Sequence, residues 1–424
     1  MTTTAPKTEP QPQPAAAGTT PPALMSHSRR WPIGFAIAVV AVFVVYQWVL
    51  PEASSDTRAV IQDWMPLISV NEAVIWVIFA LGLNVVVGYA GLLDLGYVAF
   101  WAIGGYTAGW IMSPFFTQWD INVLGNPVPG QTGGIHFNFW LVLPIAGLFC
   151  ALCGMVIGAP TLRLKSDYLA LVTLGFGEII PQVFRNGEDI NGFNLSNGTK
   201  GITPIDPIGM GPFALLPGVP DTLGPFDLTY KFLVYVLIAA FFVFLSLRIR
   251  EGRLGRAWLA IREDELAASM MGVPLMRTKL AAYAVGAFAG GLGGVAYATH
   301  TGAVSIDTFA FSVSIILLAM VVLGGMGNVW GVIIGALVLS WINSTGMVQI
   351  GETVNGAFGT NIDFPSYNFL IFGVLLVLMM LFRREGLIPE TRTKQVLQEP
   401  ERGEIEALGA EMEGTGEHEE GGAR

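Results

Sequence analysis

The chain has 424 residues, of which 53% are apolar and only 13% charged, and its mean hydropathy is +0.58. Soluble domains carry about 25% charged residues, so this composition excludes an ordinary water-soluble globule and predicts a chain solvated partly by lipid. The net charge of −10 says little by itself. The acidic residues crowd the C-terminal end (Glu399, Glu401, Glu404, Glu406, Glu411, Glu413, Glu417, Glu419 and Glu420), while the basic ones crowd one internal loop.

In chain order, residues 1–28 are rich in Pro, Ala, Thr and Gln. That composition cannot bury a core and predicts a disordered tail. Arg29 and Arg30 then precede an apolar run at about 33–50. A positive flank before an apolar run also describes a signal peptide. The run is longer than a signal core and no Ala-x-Ala site follows, which favours a first membrane helix. Further apolar segments lie at about 67–88, 92–113, 140–160, 167–184, 230–247, 280–299, 312–326, 331–350 and 367–382. Several approach the roughly 18 to 20 apolar residues that cross a bilayer. The expected fold is therefore an all-α polytopic membrane protein with about ten spans over residues 29–384. The second and third segments are joined by only a few residues around Gly91, and could instead form one broken or re-entrant pair. After Arg384 the chain turns polar and acidic, which predicts a disordered C-terminal tail over 385–424.

Short loops rich in Lys and Arg stay in the cytoplasm. Ten spans with both termini inside put Arg29, Arg30, Arg163, Lys165, the 248–279 loop, Arg383 and Arg384 on that side. Arg58, Arg185, Lys200 and Lys231 fall outside. The predicted topology is N-in/C-in, and a reporter inserted after Asp264 should read cytoplasmic. Two long external segments result, about 114–139 and 185–229, both rich in Gly, Pro, Asn and Asp. They read either as spacers or as a docking rim for an external partner.

Glycines recur every fourth residue at Gly286, Gly290 and Gly294, and again at Gly327, Gly331 and Gly335, with Gly105 and Gly109 as a third pair. Such spacing lets another backbone approach one helix face closely. It forms no nucleotide site: the Gly-x-x-x-x-Gly-Lys-Ser/Thr phosphate loop is missing, and NGTKG at 197–201 has the wrong neighbours. Cys150 and Cys153 have a redox or metal spacing but sit in an apolar run without a second Cys or His pair. His27, His136, His300 and His418 are scattered. No catalytic constellation presents itself, so the chain is not expected to be an enzyme or to carry a metal or cofactor of its own.

The loop RIREGRLGRAWLAIREDELAASMMGVPLMRTK at 248–279 is the most charged stretch between spans. From Trp258 to Met271 its pattern predicts a short amphipathic helix with Leu259, Ile261, Leu266, Met270 and Met271 as the apolar set, ended by Gly272 and Pro274. Such a helix can rest on lipid or enter a groove on a partner. Within the apolar segments, Glu72, Asn84, Asp94 and Glu178 are polar, and such residues usually face a cavity or a partner. Asp94, Glu178 and Asn84 are thus candidate pathway residues, with a structural hydrogen bond between helices as the commoner alternative. Glu178 is the deepest by these spans, and GLLDLGY around Asp94 suggests an unwound turn. Tyr46 and Trp48 read as interfacial aromatics.

The string GRAWLAIREDELAASMMG resembles the cytoplasmic coupling segment of ABC importer permeases of the branched-chain amino acid family. Ala267-Ala268 followed by Gly272 is similar to the Glu-Ala-Ala-x-x-x-Gly core of importer permeases. Leu266 takes the Glu slot, with Glu265 one residue earlier, and the downstream Ile-x-Leu-Pro is absent. Four further stretches resemble the same family in order: LGLNVVVGYAGLLDLGYVAFWAIGGYTAG, GAPTLRLKSDYLALVTLGFGEII, NGTKGI and LGGMGNVWGVIIGALV. The resemblance covers about residues 70–385. It implies a permease in the plasma (inner) membrane that pairs with a second related permease subunit, two ATPase subunits and an extracytoplasmic solute-binding protein, with membrane lipid around it and no nucleic acid. On that resemblance Arg256, Arg262, Glu263, Glu265, Ala267, Ala268 and Gly272 form the ATPase-coupling interface. Related permeases carry urea or short amides, so that substrate class stays open beside Leu, Ile and Val. A secondary transporter or channel would explain the spans but not the EDELAASMMG loop.

Overall fold

The computed structural model describes residues 30–130, 133–164, 166–211, 220–224, 227–383 and 386–388. The tail expected over 1–28 lies outside them, as does 389–424. The chain divides into two compact units, one ending at Val42 and one beginning at Phe43. The first holds most of α1 (Arg30–Val44), an apolar helix that begins at Arg30 and has no basic residue in its last turn.

In the second unit a π-turn at Val45–Val49 leads into the short α2 (Leu50–Glu52), where Pro51 sits in the first turn. Trp48 is exposed, and the Tyr46 hydroxyl donates to the Met65 carbonyl. Ser54 caps α3 (Ser55–Trp64), which Met65-Pro66 separates from α4 (Leu67–Leu83). A π-turn at Asn84–Tyr89 extends α4. Then come α5 (Val98–Ile111), α6 (Phe139–Thr161), α7 (Ser166–Arg185) and α8 (Leu228–Glu251). The internal loop folds as α9 (Arg253–Glu263) and α10 (Glu265–Met270). The chain closes with α11 (Leu275–Thr301), α12 (Phe311–Gly324), α13 (Val329–Trp341), α14 (Met347–Phe358) and α15 (Asn368–Phe382).

Among the described residues, six helices are long and apolar enough to cross a membrane: Pro32–Glu52, Ser55–Tyr89, Phe139–Thr161, Leu228–Glu251, Leu275–Thr301 and Val329–Phe358. Each of the ten expected segments contains a helix, but not all are full-length. The segment expected as a helix over 92–113 is helical only from Val98, giving 14 residues or about 21 Å of rise, short of the roughly 30 Å of a bilayer core.

The reason lies in how α5 meets α11, the packing centre of the bundle. Gly82 of α4 lies against Gly286 and Ala289, and Gly290 lies against Phe100. The Tyr97 hydroxyl donates to the Gly286 carbonyl at 2.9 Å. Thus α5 begins beside the middle of α11 rather than at its end. Residues 90–97 climb to that level without helix, starting from Gly91 at φ +68°. Unwound backbone at membrane depth survives only where protein satisfies it. Here Leu95 N–H donates to Thr173 Oγ1 at 3.1 Å, and Val98 N–H to Ser314 Oγ at 3.1 Å. A continuous helix over 92–113 is not observed: the backbone is broken over 90–97.

The glycines on α11 lie close against α4 and α5. A Cβ on Gly294 would lie 2.6 Å from Gly105 N, one on Gly290 2.7 Å from Phe100 Cβ, and one on Gly286 against Val86. The second triplet needs correction. Gly327 is not on a helix face: it sits at φ +89° in the turn between α12 and α13. Only Gly331 and Gly335 belong to α13, where they meet Gly324 of α12 backbone to backbone. Cys150 and Cys153 are free thiols.

The described parts of the two long loops are folded against each other. β1 (Met112–Ser113) pairs antiparallel with β3 (Gly134–Phe137), and β2 (Asp120–Val123) pairs parallel with β3. β4 (Ile208–Gly209) pairs with β5 (Thr222–Leu223). His136 Nδ1 lies 2.7 Å from Asp206 Oδ2, with both side chains buried, and Trp140 Nε1 donates to the Gly209 carbonyl at 3.1 Å. Burial pushes the Asp206 carboxyl up, against the pull of His136. Beyond the boundary drawn at 384, Leu387 and Ile388 N–H groups donate to the Leu323 and Gly324 carbonyls, so ordered backbone continues past it.

Candidate functional site

The charged internal loop forms two helices where one was expected. Asp264 breaks the run: its backbone is extended (φ −154°, ψ 112°), and its carboxylate caps α10 by accepting from Leu266 and Ala267 N–H. An Asp just before Glu-Leu-Ala-Ala is the sequence signature of such a cap, and was legible. The first helix also starts five residues earlier than expected, at Arg253.

The inner face of the loop is anchored to α11. Trp258 is fully buried and its indole N–H donates to the Thr278 carbonyl at 2.7 Å. Ile261 and Ala268 are buried beside it. Three residues expected to share an apolar face with Ile261 point outward instead: Leu266, Met270 and Met271 are 65%, 76% and 84% exposed. Leu266 and Met270 on α10, with Met271 just after it, thus form an exposed apolar cluster rather than part of the buried face.

The residues assigned to the interface divide by direction. Arg256, Glu263 and Ala267 lie on the exposed side. Ala268 is buried and faces inward. Arg262 also turns inward: its guanidinium donates to the Gly88 carbonyl, and its stem covers Gly91, where a Cβ would lie 2.8 Å from Arg262 Cγ. Glu265 reaches back to Lys279 at the foot of α11, Oε1 to Nζ 2.6 Å. Gly272 has open space around it and φ +83°; it serves the turn into α11, not a close approach. Glu265→Lys should therefore set two ammonium groups together and loosen α10 by on the order of 1 kcal/mol, the exposed Glu265 side being screened. Faster proteolytic cutting between 264 and 272 checks it.

The polar residues in the apolar segments differ in surroundings. Asn84 is buried and its Oδ1 accepts from Gly327 N–H at 2.9 Å, tying the π-turn of α4 to the α12–α13 turn. This is the hydrogen bond between elements that was the alternative to a pathway role. Asp94 is 2% exposed. Its Oδ1 accepts from Gly96 N–H at 2.8 Å, and the Tyr283 and Thr173 hydroxyls face it, so it organises the unwound segment. Glu72 accepts from Trp76 Nε1 at 3.2 Å. Glu178, expected to be the deepest, lies on an exposed face of α7. It shares that face with Leu171, Gly175, Gln182 and Arg185, at helical spacing.

Several members of this arrangement escaped the sequence reading. Lys279, Thr173, Ser314 and Tyr283 carry no local motif. Lys231 was read as an outer loop residue, but it is 4% exposed and donates to the Thr299 carbonyl at 3.1 Å.

The apolar helices, the unwound segment at 90–97 and the charged helix pair fit a multi-pass membrane transport protein. The chain belongs to the family described as the branched-chain amino acid transport system permease component, whose model matches residues 65–380. It is 34% identical over 383 residues to the high-affinity branched-chain amino acid transport system permease protein LivM of Escherichia coli K12, covering 86% of this chain and 76% of that one. It is 27% identical over 338 residues to a probable LivM of Methanocaldococcus jannaschii, covering 74% of this chain and 91% of that one. A weaker likeness, 24% over 168 residues, links it to LivH of E. coli K12, over 40% of this chain and 50% of that one. No solved structure matches it. It is a transporter subunit and not an enzyme.

Proposed function

We propose that this chain is a translocation subunit of an ATP-driven importer of branched-chain amino acids in the plasma membrane. It crosses about ten times with both termini inside. A second, LivH-like permease completes the membrane unit, two ATPase subunits supply the energy, and a solute-binding protein delivers substrate. The chain binds no nucleotide, metal or cofactor itself.

The observation that carries this reading is the α9–α10 pair. It is rooted on α11 through Trp258 and Lys279, yet offers Leu266, Met270 and Met271 outward. That combination suits a groove on a soluble ATPase, which receives the apolar tips while Arg256 and Glu263 set register. Arg262 then carries displacement of the loop to Gly88 and the unwound segment. ATP biases the bundle between two packings, and the loop transmits that bias.

The passage lies along α7. An ionised residue facing lipid is costly, so the exposed Glu178, Gln182 and Arg185 stripe is best covered by water and the second permease. Glu178→Leu should cut uptake about tenfold, or about 1.4 kcal/mol on the transport barrier, with unchanged amounts of chain in the membrane. Uptake equal to wild type would exclude Glu178 from the passage.

The proposal is tested by deleting the gene and measuring uptake of labelled leucine and urea, with the wild-type chain supplied back. Restored leucine uptake, competed by isoleucine and valine, is the expected result. Altered urea uptake with unchanged leucine uptake would move the substrate, and no change in either would overturn the reading.

A further inference from the structure

Two adjoining cavities open at the end of the bundle opposite the α9–α10 loop. α11 fixes this geometry. Its first turn holds Trp258, and just past its last turn Val304 pairs with Ile202, 27 helical residues or about 40 Å away. The larger cavity, about 490 Å³, is walled by Phe115, Phe116, Trp119 and Phe193 and has no ionisable side chain in its lining. The smaller, about 340 Å³, is walled by Asn197, Lys200 and Thr203. Phe115 and Asn194 line both.

The aromatic part is preformed. The Phe115 and Phe116 rings meet edge-on at 4.8 Å, and Phe116 lies 6.2 Å from Phe193. Trp119 and Phe193 are nonetheless 56% and 54% exposed. At the polar end Lys200 Nζ lies 2.6 Å from Glu188 Oε1, with both side chains exposed. Lys200 lines the smaller cavity and Glu188 pairs with it just outside the lining, so an apolar chamber beside this charge pair suits a short aliphatic side chain bearing both a carboxylate and an ammonium group.

We propose that the joined cavities form an outer binding site for a free zwitterionic amino acid with an aliphatic side chain. The side chain enters among Phe116, Trp119 and Phe193. Its carboxylate meets Lys200 and its ammonium group meets Glu188, each exchanging half of the existing ion pair for the ligand. The site caps α7, because the loop carrying Glu188 folds back on the end of that helix: Leu195 N–H donates to Gly187 O at 2.7 Å, and Ser196 Oγ donates to the Phe184 carbonyl. It therefore lies at the end of the Glu178–Gln182–Arg185 stripe, where a substrate would pause before the passage. The substrate class rests on the proposed function; the site and its residues do not.

The test uses the complete transporter in lipid nanodiscs without the solute-binding protein. Leucine is titrated while tryptophan fluorescence is read, with Trp119→Phe assigning the signal and equilibrium dialysis of labelled leucine as a second measurement. Saturable binding of leucine, isoleucine and valine but not lysine is expected, with the Trp119 component lost in Trp119→Phe. Phe193→Asp and Lys200→Glu should each weaken leucine about tenfold. No saturable binding to the wild type, or unchanged affinity in both variants, overturns the site. So does a loss of affinity for the solute-binding protein with leucine binding intact, which would make the surface a docking patch. Leucine uptake that persists without any binding here removes this site alone, whereas absent leucine uptake removes the proposed function.

Discussion

Replacing Gly294 with leucine prevents the chain from accumulating as a monodisperse membrane protein. A Cβ at this position lies 2.6 Å from Gly105 N and 2.7 Å from the Trp101 carbonyl. Both are backbone atoms of α5, so no rotamer change makes room. The two helices must separate, and with them Trp101, which stacks on Phe79 at 4.3 Å and meets Tyr297 edge-on at 4.8 Å. Overpacking costs about 1–3 kcal/mol in forgiving sites, and a backbone contact at the centre of the bundle should exceed that. Size-exclusion chromatography of detergent-solubilised protein reads the result. Gly302→Leu is the comparison: it has no neighbour to strike but needs φ +70°, so its cost is local, about 1 kcal/mol, and the variant should still be recovered. A monodisperse Gly294→Leu protein would show that α5 and α11 do not touch as described.

Replacing Arg262 with alanine leaves ATP hydrolysis running while transport falls. The guanidinium links α9 to the Gly88 carbonyl, and the stem packs over Gly91, so one side chain spans from the charged loop to the start of the unwound segment. Truncation removes a charge-assisted hydrogen bond of about 1.5–3 kcal/mol and the packing above Gly91 together. The leucine carried per ATP hydrolysed in proteoliposomes should drop about tenfold or more. Arg262→Lys keeps the aliphatic stem over Gly91 and should recover only part of it, because an ammonium lacks the fixed planar fork that aims the guanidinium at the Gly88 carbonyl. A ratio equal to wild type in Arg262→Ala would mean that displacement travels by another route, such as the Glu265–Lys279 pair.

These two sites differ in how far they could be read in advance. Gly286, Gly290 and Gly294 announce a close approach through spacing alone, since every fourth residue shares a helix face. The same spacing misled at Gly327, where the helix had already ended: a periodic pattern records composition, not whether the backbone is still helical. At α9–α10 the charge and amphipathy marked the loop correctly. Which of its residues face in or out was not legible, because Asp264 rotates α10 relative to α9 and so moves Leu266 away from the side of Ile261. For Glu178 the position along the span was legible, but the exposed helix face it occupies was not. Depth along a span follows from sequence position, whereas the direction a residue faces depends on which neighbours cover the helix.

The sequence by itself determined the solvent of this protein, a helix in each apolar segment, the charged internal loop and the family, because hydropathy and motif order are properties of contiguous residues. Only the tertiary structure decided that residues 90–97 run unwound and that Arg262 turns inward to Gly88. It alone brought Phe116 and Phe193 together beside Lys200. Each of these depends on partners 70 or more residues apart, and no local pattern encodes a contact whose second half lies on another helix.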